Sequence, residues 1–314
     1  MDGYRIVRIP AANPLERRLG VPWPLPGGRA LVRVLRRELA AADVVHVQDV
    51  LYATSLAALL LARRTRTSAV LTQHVALVPQ RGRVLDAVQR LAYRATVPAA
   101  RLASARAAYN ARVARWAQEL WRAPVELLPA GVELPPGTAT RRELGLPEHR
   151  LVALAVGRDA PKKRLDVLRA ATDEAYELVL VTDASVEPRP GLHPRPFMPP
   201  SQLARLMRAA DAFVLPSTGE GVPLSLQEAM HAGLPCVLAY DDGYEWAFSR
   251  DDVICVEAEA ASIRSALLRL ASDEELRLAL AARSRAAAER SFGVEAFVTA
   301  YERLYASAAR RPLG

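Results

Sequence analysis

The chain has 314 residues, more than one hydrophobic core ordinarily supports, so two domains are expected. Its 51% apolar and 24% charged residues exclude intrinsic disorder, and the longest apolar stretch, residues 51–62, falls short of the roughly 20 residues a membrane-spanning helix needs. The net charge of +8 is uneven: residues 1–135 hold 20 basic and 9 acidic side chains, net +11, and the remainder holds 22 and 25, net −3.

The opening segment MDGYRIVRIP has no apolar run behind a basic start and does not read as a signal peptide. Strands are expected at Tyr4–Ile9, Asp43–Val47, Ala69–Thr72, Ala100–Ala103 and Val125–Leu128. Helical patterns lie between them at Arg29–Ala41, Tyr52–Arg64, Gly82–Ala95 and Ala107–Leu120. Pro135, Pro136 and Gly137 mark a linker. A second series of strands follows at Leu151–Val156, Leu178–Val181, Ala212–Leu215, Pro235–Leu238 and Val253–Val256. Its helices are expected at Leu165–Thr172, Ser201–Ala210, Leu224–Ala232 and Ala261–Leu270, with a helical tail at Glu274–Arg290 and Val294–Ala308. Glu187–Pro200 reads as a Pro-rich loop. Alternating strands and helices imply parallel α/β units, whose ligands bind at the carboxyl ends of the strands.

Cys236 and Cys255 each sit in an apolar strand-like run and read as buried thiols. Neither has metal-ligand spacing, and low cysteine use fits a cytoplasmic protein. The basic first half fits an anionic membrane surface, an anionic acceptor or nucleic acid, or reflects only an arginine-rich composition, since 40 of the 42 basic residues are Arg. Nucleic acid is disfavoured because Trp23, Trp116 and Trp121 are not interleaved with Arg as stacking platforms. The only two lysines are adjacent, Lys162 and Lys163. Lys is a compact point charge suited to phosphate, whereas Arg favours planar bidentate pairing.

Those lysines close the segment Gly157-Arg158-Asp159-Ala160-Pro161-Lys162-Lys163, which follows a strand directly. Glycine permits a sharp turn there, and the cations suit a diphosphate; a solvated basic loop is the plainer alternative. A second segment, Gly219-Glu220-Gly221-Val222-Pro223-Leu224, leads from a strand into a helix that carries Glu228. Pro223 suits a first helical turn, and free amides at a helix start hold anions. Two carboxylates near phosphates find natural partners in sugar or ribose hydroxyls; a surface Glu and a capping Glu is the alternative.

Together these segments resemble the family 4 retaining glycosyltransferases of GT-B fold, whose donor site combines G-R-x(3-4)-K with E-x7-E. The resemblance runs from about Asp43 to Tyr305 through DVVHVQD, LTQH, LLPAGVE, GRDAPKKRLDVL and EGVPLSLQEAMHAGLPCVLA. It implies an α/β GT-B fold, two Rossmann-like domains facing across a cleft, with the first incomplete. The domains would be 1–133 on the acceptor side, 134–293 binding the donor, and 294–314 as a helix crossing back. It implies transfer of a hexosyl-type sugar from a nucleotide-diphosphate sugar, with retention, in glycan biosynthesis of the cell envelope or a polysaccharide. Arg158 and Lys163 would neutralise the diphosphate, Glu220 would contact the transferred sugar, and His74 would lie near it. Gly157, Lys162, Gly221, Val222, Pro223, Leu224 and Glu228 would hold the donor, and Phe197 would flank the base.

No metal or cofactor is expected. The acceptor is a glycan, a lipid or a small molecule, and the protein is expected in the cytoplasm, with peripheral contact at an anionic membrane admitted by the charge. A non-catalytic nucleotide-sugar-binding protein is the alternative, and a GT-B sugar epimerase is a closer rival that the glutamate spacing disfavours. Two departures stand out. The position after Lys163, usually Gly in the family, is Arg164, and the usual Gly-x-Gly turn after Leu178–Val181 reads Thr182-Asp183. The resemblance also implies that Tyr4–Ile9 aligns better with a later strand, so the family's opening strand and Gly-rich loop are expected either upstream of Met1 or lost in a degenerate domain.

Overall fold

Parallel strands need a crossover element between them, and here helices supply it in both halves of the chain. The structure is a computed structural model that describes residues 3–13, 24–77 and 82–310; Trp23 lies outside them. The chain divides into two units, Met1–Leu128 with Ala300–Gly314, and Pro129–Thr299.

In the first unit a short antiparallel pair, β1 (Ala11–Ala12) and β2 (Leu25–Pro26), precedes α1 (Gly28–Leu39). Then come β3 (Val44–Gln48), α2 (Ala53–Thr65), β4 (Ser68–Gln73), α3 (Arg83–Arg101), β5 (Ala105–Ala108), α4 (Ala111–Trp121) and β6 (Glu126–Leu127). The sheet runs β3-β4-β5-β6, all parallel, with Val44 beside Ser68 and Val70 beside Ala105. Helices cover it, so β4 is buried along its whole length, and Leu59, Leu71 and Trp121 fill the core.

Three expectations fail here for local reasons. Tyr4–Ile9 is not a strand: among the described residues nothing pairs with it, and Tyr4 and Ile6 are exposed. Ala100–Ala103 is also no strand, because α3 runs on to Arg101 past Pro98, and the pairing partner of β4 begins at Ala105. The next helix starts at Ala111, not Ala107, because the Asn110 side chain caps it, accepting the amides of Arg112 and Val113 at 2.9 and 3.1 Å.

The second unit contains β7 (Leu151–Val156), a 3₁₀ turn at Pro161–Lys163, α5 (Leu165–Ala170), β8 (Tyr176–Val181), β9 (Leu192–Arg195), α6 (Pro200–Ala209) and β10 (Ala212–Leu215). It continues with α7 (Leu224–His231), β11 (Cys236–Leu238), β12 (Ile254–Cys255), α8 (Ala260–Ser272), α9 (Glu274–Ser291) and the start of α10 (Val294–Ala309), whose residues from Ala300 onward belong to the first unit. The sheet order is β12-β11-β10-β7-β8-β9, every pairing parallel. β7 is central, between β10 and β8, so the loops leaving β7 and β10 emerge side by side.

The Pro-rich stretch is more ordered than its composition implies. It holds β9, whose Pro194 is tolerated because β9 is an edge strand. Cys236 is buried, and burial pushes its thiol up to about 12. Cys255 is exposed, contrary to expectation, because β12 is a two-residue edge strand.

Candidate active site

The site is built on the adjacency of β7 and β10, where Ala153 pairs with Ala212 and Leu154 with Phe213. Gly157 follows β7, buried, with its amide donating to the Val181 carbonyl at 3.0 Å. A Cβ at Gly157 would lie 3.3 Å from Lys163 Cδ and 3.5 Å from its Cγ. Glycine leaves room for the lysine stem here; a larger residue would push it away by a few tenths of an ångström. The 3₁₀ turn then brings Lys162 and Lys163 round. Its Lys162 carbonyl accepts the Thr218 amide at 3.0 Å, stitching the β7 loop to the β10 loop.

Across that stitch, Glu220 receives both lysines. Lys163 Nζ lies 2.9 Å from its Oε1 and Lys162 Nζ 3.2 Å from its Oε2. The Glu220 side chain is 8% exposed, that of Lys163 15% and that of Lys162 25%. A carboxylate this buried is held by paired cations. Gly219 supplies the bend before it, at φ +68°, where a side chain is strained. Arg158 is exposed, and its guanidinium makes no hydrogen bond or ion pair among the described residues.

Arg164 takes φ 50° and ψ 45°, the left-handed region, and stands between the 3₁₀ turn and α5. The chain therefore needs a glycine-like conformation where it has an arginine.

Beyond Pro223, α7 begins at Leu224. The amides of Leu224 and Ser225 have no partner among the described residues, as a first turn dictates. Gln227 reaches back to donate to the Val222 carbonyl at 3.0 Å, which fixes the loop to its helix. Glu228 follows, half-buried, without a hydrogen bond or ion pair among the described residues. Burial raises its carboxyl above the usual carboxylate range. Phe197 is 48% exposed and leaves the carboxyl end of β9, on the same sheet edge as Gly157 but two strands along, roughly 10 Å.

Two residues of this site are not apparent in the sequence. Asp183, in the turn after β8, accepts the Asp159 amide at 2.6 Å and so braces the Arg158 loop from the neighbouring strand. Ser217 is 3% exposed, and its hydroxyl has no partner among the described residues beside Gly157 and Lys163.

His74 belongs to the first unit. Its amide donates to Asp49 Oδ1 at 3.0 Å, its Nε2 lies 2.5 Å from Gln48 Oε1, and its ring centroid is 5.3 Å from that of Tyr109. Beside it stands His46, which no local sequence signal marks. His46 Nε2 lies 2.8 Å from Thr72 Oγ1 and its Nδ1 2.9 Å from the Tyr305 hydroxyl. Thr72 in turn meets Tyr301 at 3.0 Å, and Tyr301 bonds Tyr109. Burial, and secondarily the charge of His74, lowers His46 to about 4, so it is neutral at physiological pH. Tyr301 and Tyr305 of α10 thus fasten that helix onto β3, β4 and the end of β5.

Residues 186–287 match the family described as Glycosyl transferases group 1. A D-inositol 3-phosphate glycosyltransferase of Geodermatophilus obscurus is 34% identical over 56% of this chain and 46% of its own. One of Segniliparus rotundus is 35% identical over 37% of this chain and 31% of its own. The chain thus spans less than half the length of these two relatives. Among solved structures, sucrose-phosphate synthase from Thermosynechococcus elongatus superposes with a TM-score of 0.76 at 19% identity, over 90% of this chain and 79% of its own. Anabaena Alr3699/HepE in complex with UDP-glucose gives 0.74 at 17%, over 93% and 84%. The fold is therefore α/β of the GT-B type, built from Rossmann-like units.

Proposed function

We propose that this chain is a GT-B glycosyltransferase of family 4 type that transfers a hexosyl sugar from a nucleoside-diphosphate sugar with retention of anomeric configuration. The observation that carries the reading is the convergence of Lys162 and Lys163 on Glu220 between the ends of β7 and β10, with the unpaired, half-buried Glu228 on the helix that follows.

An ammonium has three N–H donors, so each lysine keeps two after meeting Glu220. With Arg158, the cluster holds two net positive charges, matched to a sugar diphosphate. Cleavage of the anomeric C–O bond raises charge on the leaving phosphate, which Lys163 and Arg158 stabilise without reorganising. The amides around Gly221, Val222, Pro223 and Leu224 face the same task, Pro223 contributing none of its own. Glu220 contacts the transferred sugar. Glu228 accepts the ribose hydroxyls, and Phe197 flanks the base. Retention follows from front-face attack: the acceptor oxygen bonds to the anomeric carbon as the phosphate departs, and the acceptor proton passes to a leaving phosphate oxygen.

A fixed cation cluster performs this neutralisation, with no step assigned to a metal. The solved neighbours named with UDP and UDP-glucose, and the relatives named as D-inositol 3-phosphate glycosyltransferases, support a nucleotide-sugar donor. The acceptor is a glycan, lipid or small molecule, and the basic unit makes peripheral contact with an anionic membrane.

Titration calorimetry with UDP- and other nucleoside-diphosphate sugars, paired with an assay for released nucleoside diphosphate, tests the reading. Binding with turnover is expected. Binding without turnover contradicts a transferase, and no binding contradicts the site.

A further inference from the structure

We propose that the outer face of α3 is a docking surface for an anionic lipid bilayer. This locates the membrane contact of the preceding reading on named residues, and it rests on none of the transferase chemistry.

The face is defined by exposure. Val84, Val88 and Leu91 are 76%, 53% and 68% exposed, an unusual cost for aliphatic side chains three and four residues apart on one helix. At 3.6 residues per turn, Ala87, Ala95 and Pro98 fall in the same arc of about 100°, so the apolar stripe runs along most of the helix. All three are exposed as well.

Arg83, Arg90 and Arg94 lie together on one flank of that stripe, within an arc of about 40°. They are exposed and make no hydrogen bond or ion pair among the described residues. Asp86 is the helix's single acid; it is half-buried and borders the arginine flank on its inner side, three residues after Arg83 and four before Arg90, so the flank keeps a net positive charge.

The opposite face anchors the helix. Tyr93, Thr96, Ala99 and Ala100 are buried, and Tyr93 packs edge-on against Trp116 at 4.7 Å between centroids. The stripe is therefore presented on a rigid element, not on a segment free to bury it.

Charge and shape select the occupant. An apolar stripe with guanidinium groups along its side is the pattern of a helix lying in a membrane interface, aliphatic groups at the acyl boundary and cations at headgroup phosphates. A polyanion such as nucleic acid has no use for the aliphatic stripe, and the face carries no exposed aromatic for base stacking. No described helix is long and apolar enough to cross a membrane, so the contact is peripheral.

The test uses the intact chain and vesicles in a sedimentation assay. Vesicles of phosphatidylcholine with roughly a quarter phosphatidylglycerol should bind it, and added salt should weaken binding. Arg90→Gln with Arg94→Gln should lower the partition constant about 25-fold, taking roughly 5-fold per arginine. Leu91→Ser should lower it roughly 10-fold. Both variants change exposed groups and should keep the parent circular dichroism and melting temperature. Arg29→Gln with Arg33→Gln on α1 should leave binding unchanged. Equal binding to pure phosphatidylcholine, or no binding, overturns the proposal. So does loss on removing the arginines without loss for Leu91→Ser, which is the signature of a general polyanion surface.

Discussion

Replacing Lys163 by Ala separates the structural from the chemical role of the cation cluster. At an effective dielectric of about 20, the 2.9 Å Lys163–Glu220 contact is worth roughly 6 kcal/mol gross, and the 3.2 Å Lys162 contact roughly 5 kcal/mol. Desolvation cancels most of each. Because Lys162 stays on Glu220, Lys163→Ala does not orphan a buried charge, and the stability loss should be about 1–2 kcal/mol, below the roughly 3–5 of a broken buried pair. The chemical loss should be larger. Removing one preorganised donor to developing charge costs roughly 10²–10³ in turnover. The assay is release of nucleoside diphosphate at saturating donor, with a thermal melt to confirm a folded protein. Lys162→Ala, at the longer and more exposed contact, should cost less. A folded Lys163→Ala variant with the parent turnover refutes the reasoning.

Glu228→Gln should weaken donor binding by roughly 10-fold or more, the value of a hydrogen bond to a charged group, while raising stability at neutral pH. The sign follows from the raised carboxyl: the folded state favours its protonated form, so destabilisation grows as pH rises through the folded pKa and is absent below the unfolded one. A melting series in which the Gln variant gains nothing at neutral pH contradicts this. His46 has the opposite linkage, its folded value of about 4 lying below the ordinary 6.5. Its contribution, about 3 kcal/mol at 1.36 kcal/mol per unit, should be present above pH 6.5 and lost between about 6.5 and 4, and His46→Gln should flatten that limb of the stability profile. Arg164→Gly should stabilise by about 0.5–1 kcal/mol, because relief of left-handed strain exceeds the lost entropy difference and the 3.6 Å contact to Asp166. A lower denaturation midpoint contradicts that.

Much of the second unit was legible because its signals are local. Leu151–Val156 and Ala212–Leu215 are apolar runs punctuated by Gly157 and Pro216, and the structure begins and ends both strands at those residues. The two lysines stood out against an arginine-only background, and the structure brings both to Glu220, 57 and 58 positions away. The first unit was harder to read. Around Ala100 an Ala-rich stretch carries no period, and only pairing with β4 moves the strand to Ala105. β9 was hidden because its proline is acceptable only at a sheet edge, a property of topology. Asp183 acts through a backbone amide 24 positions away, and His46 meets Tyr305 across 259. Neither pairing leaves a trace in local spacing.

The proposed donor site places a diphosphate on Arg158 and Lys163 and the ribose on Glu228. A crystal structure of the chain with a bound nucleoside-diphosphate sugar tests it most directly. Phosphate oxygens should lie within hydrogen-bonding distance of Lys163 Nζ and the Arg158 guanidinium, with ribose hydroxyls donating to Glu228. Nucleotide density anywhere else, with Lys162 and Lys163 still engaged only with Glu220, contradicts it.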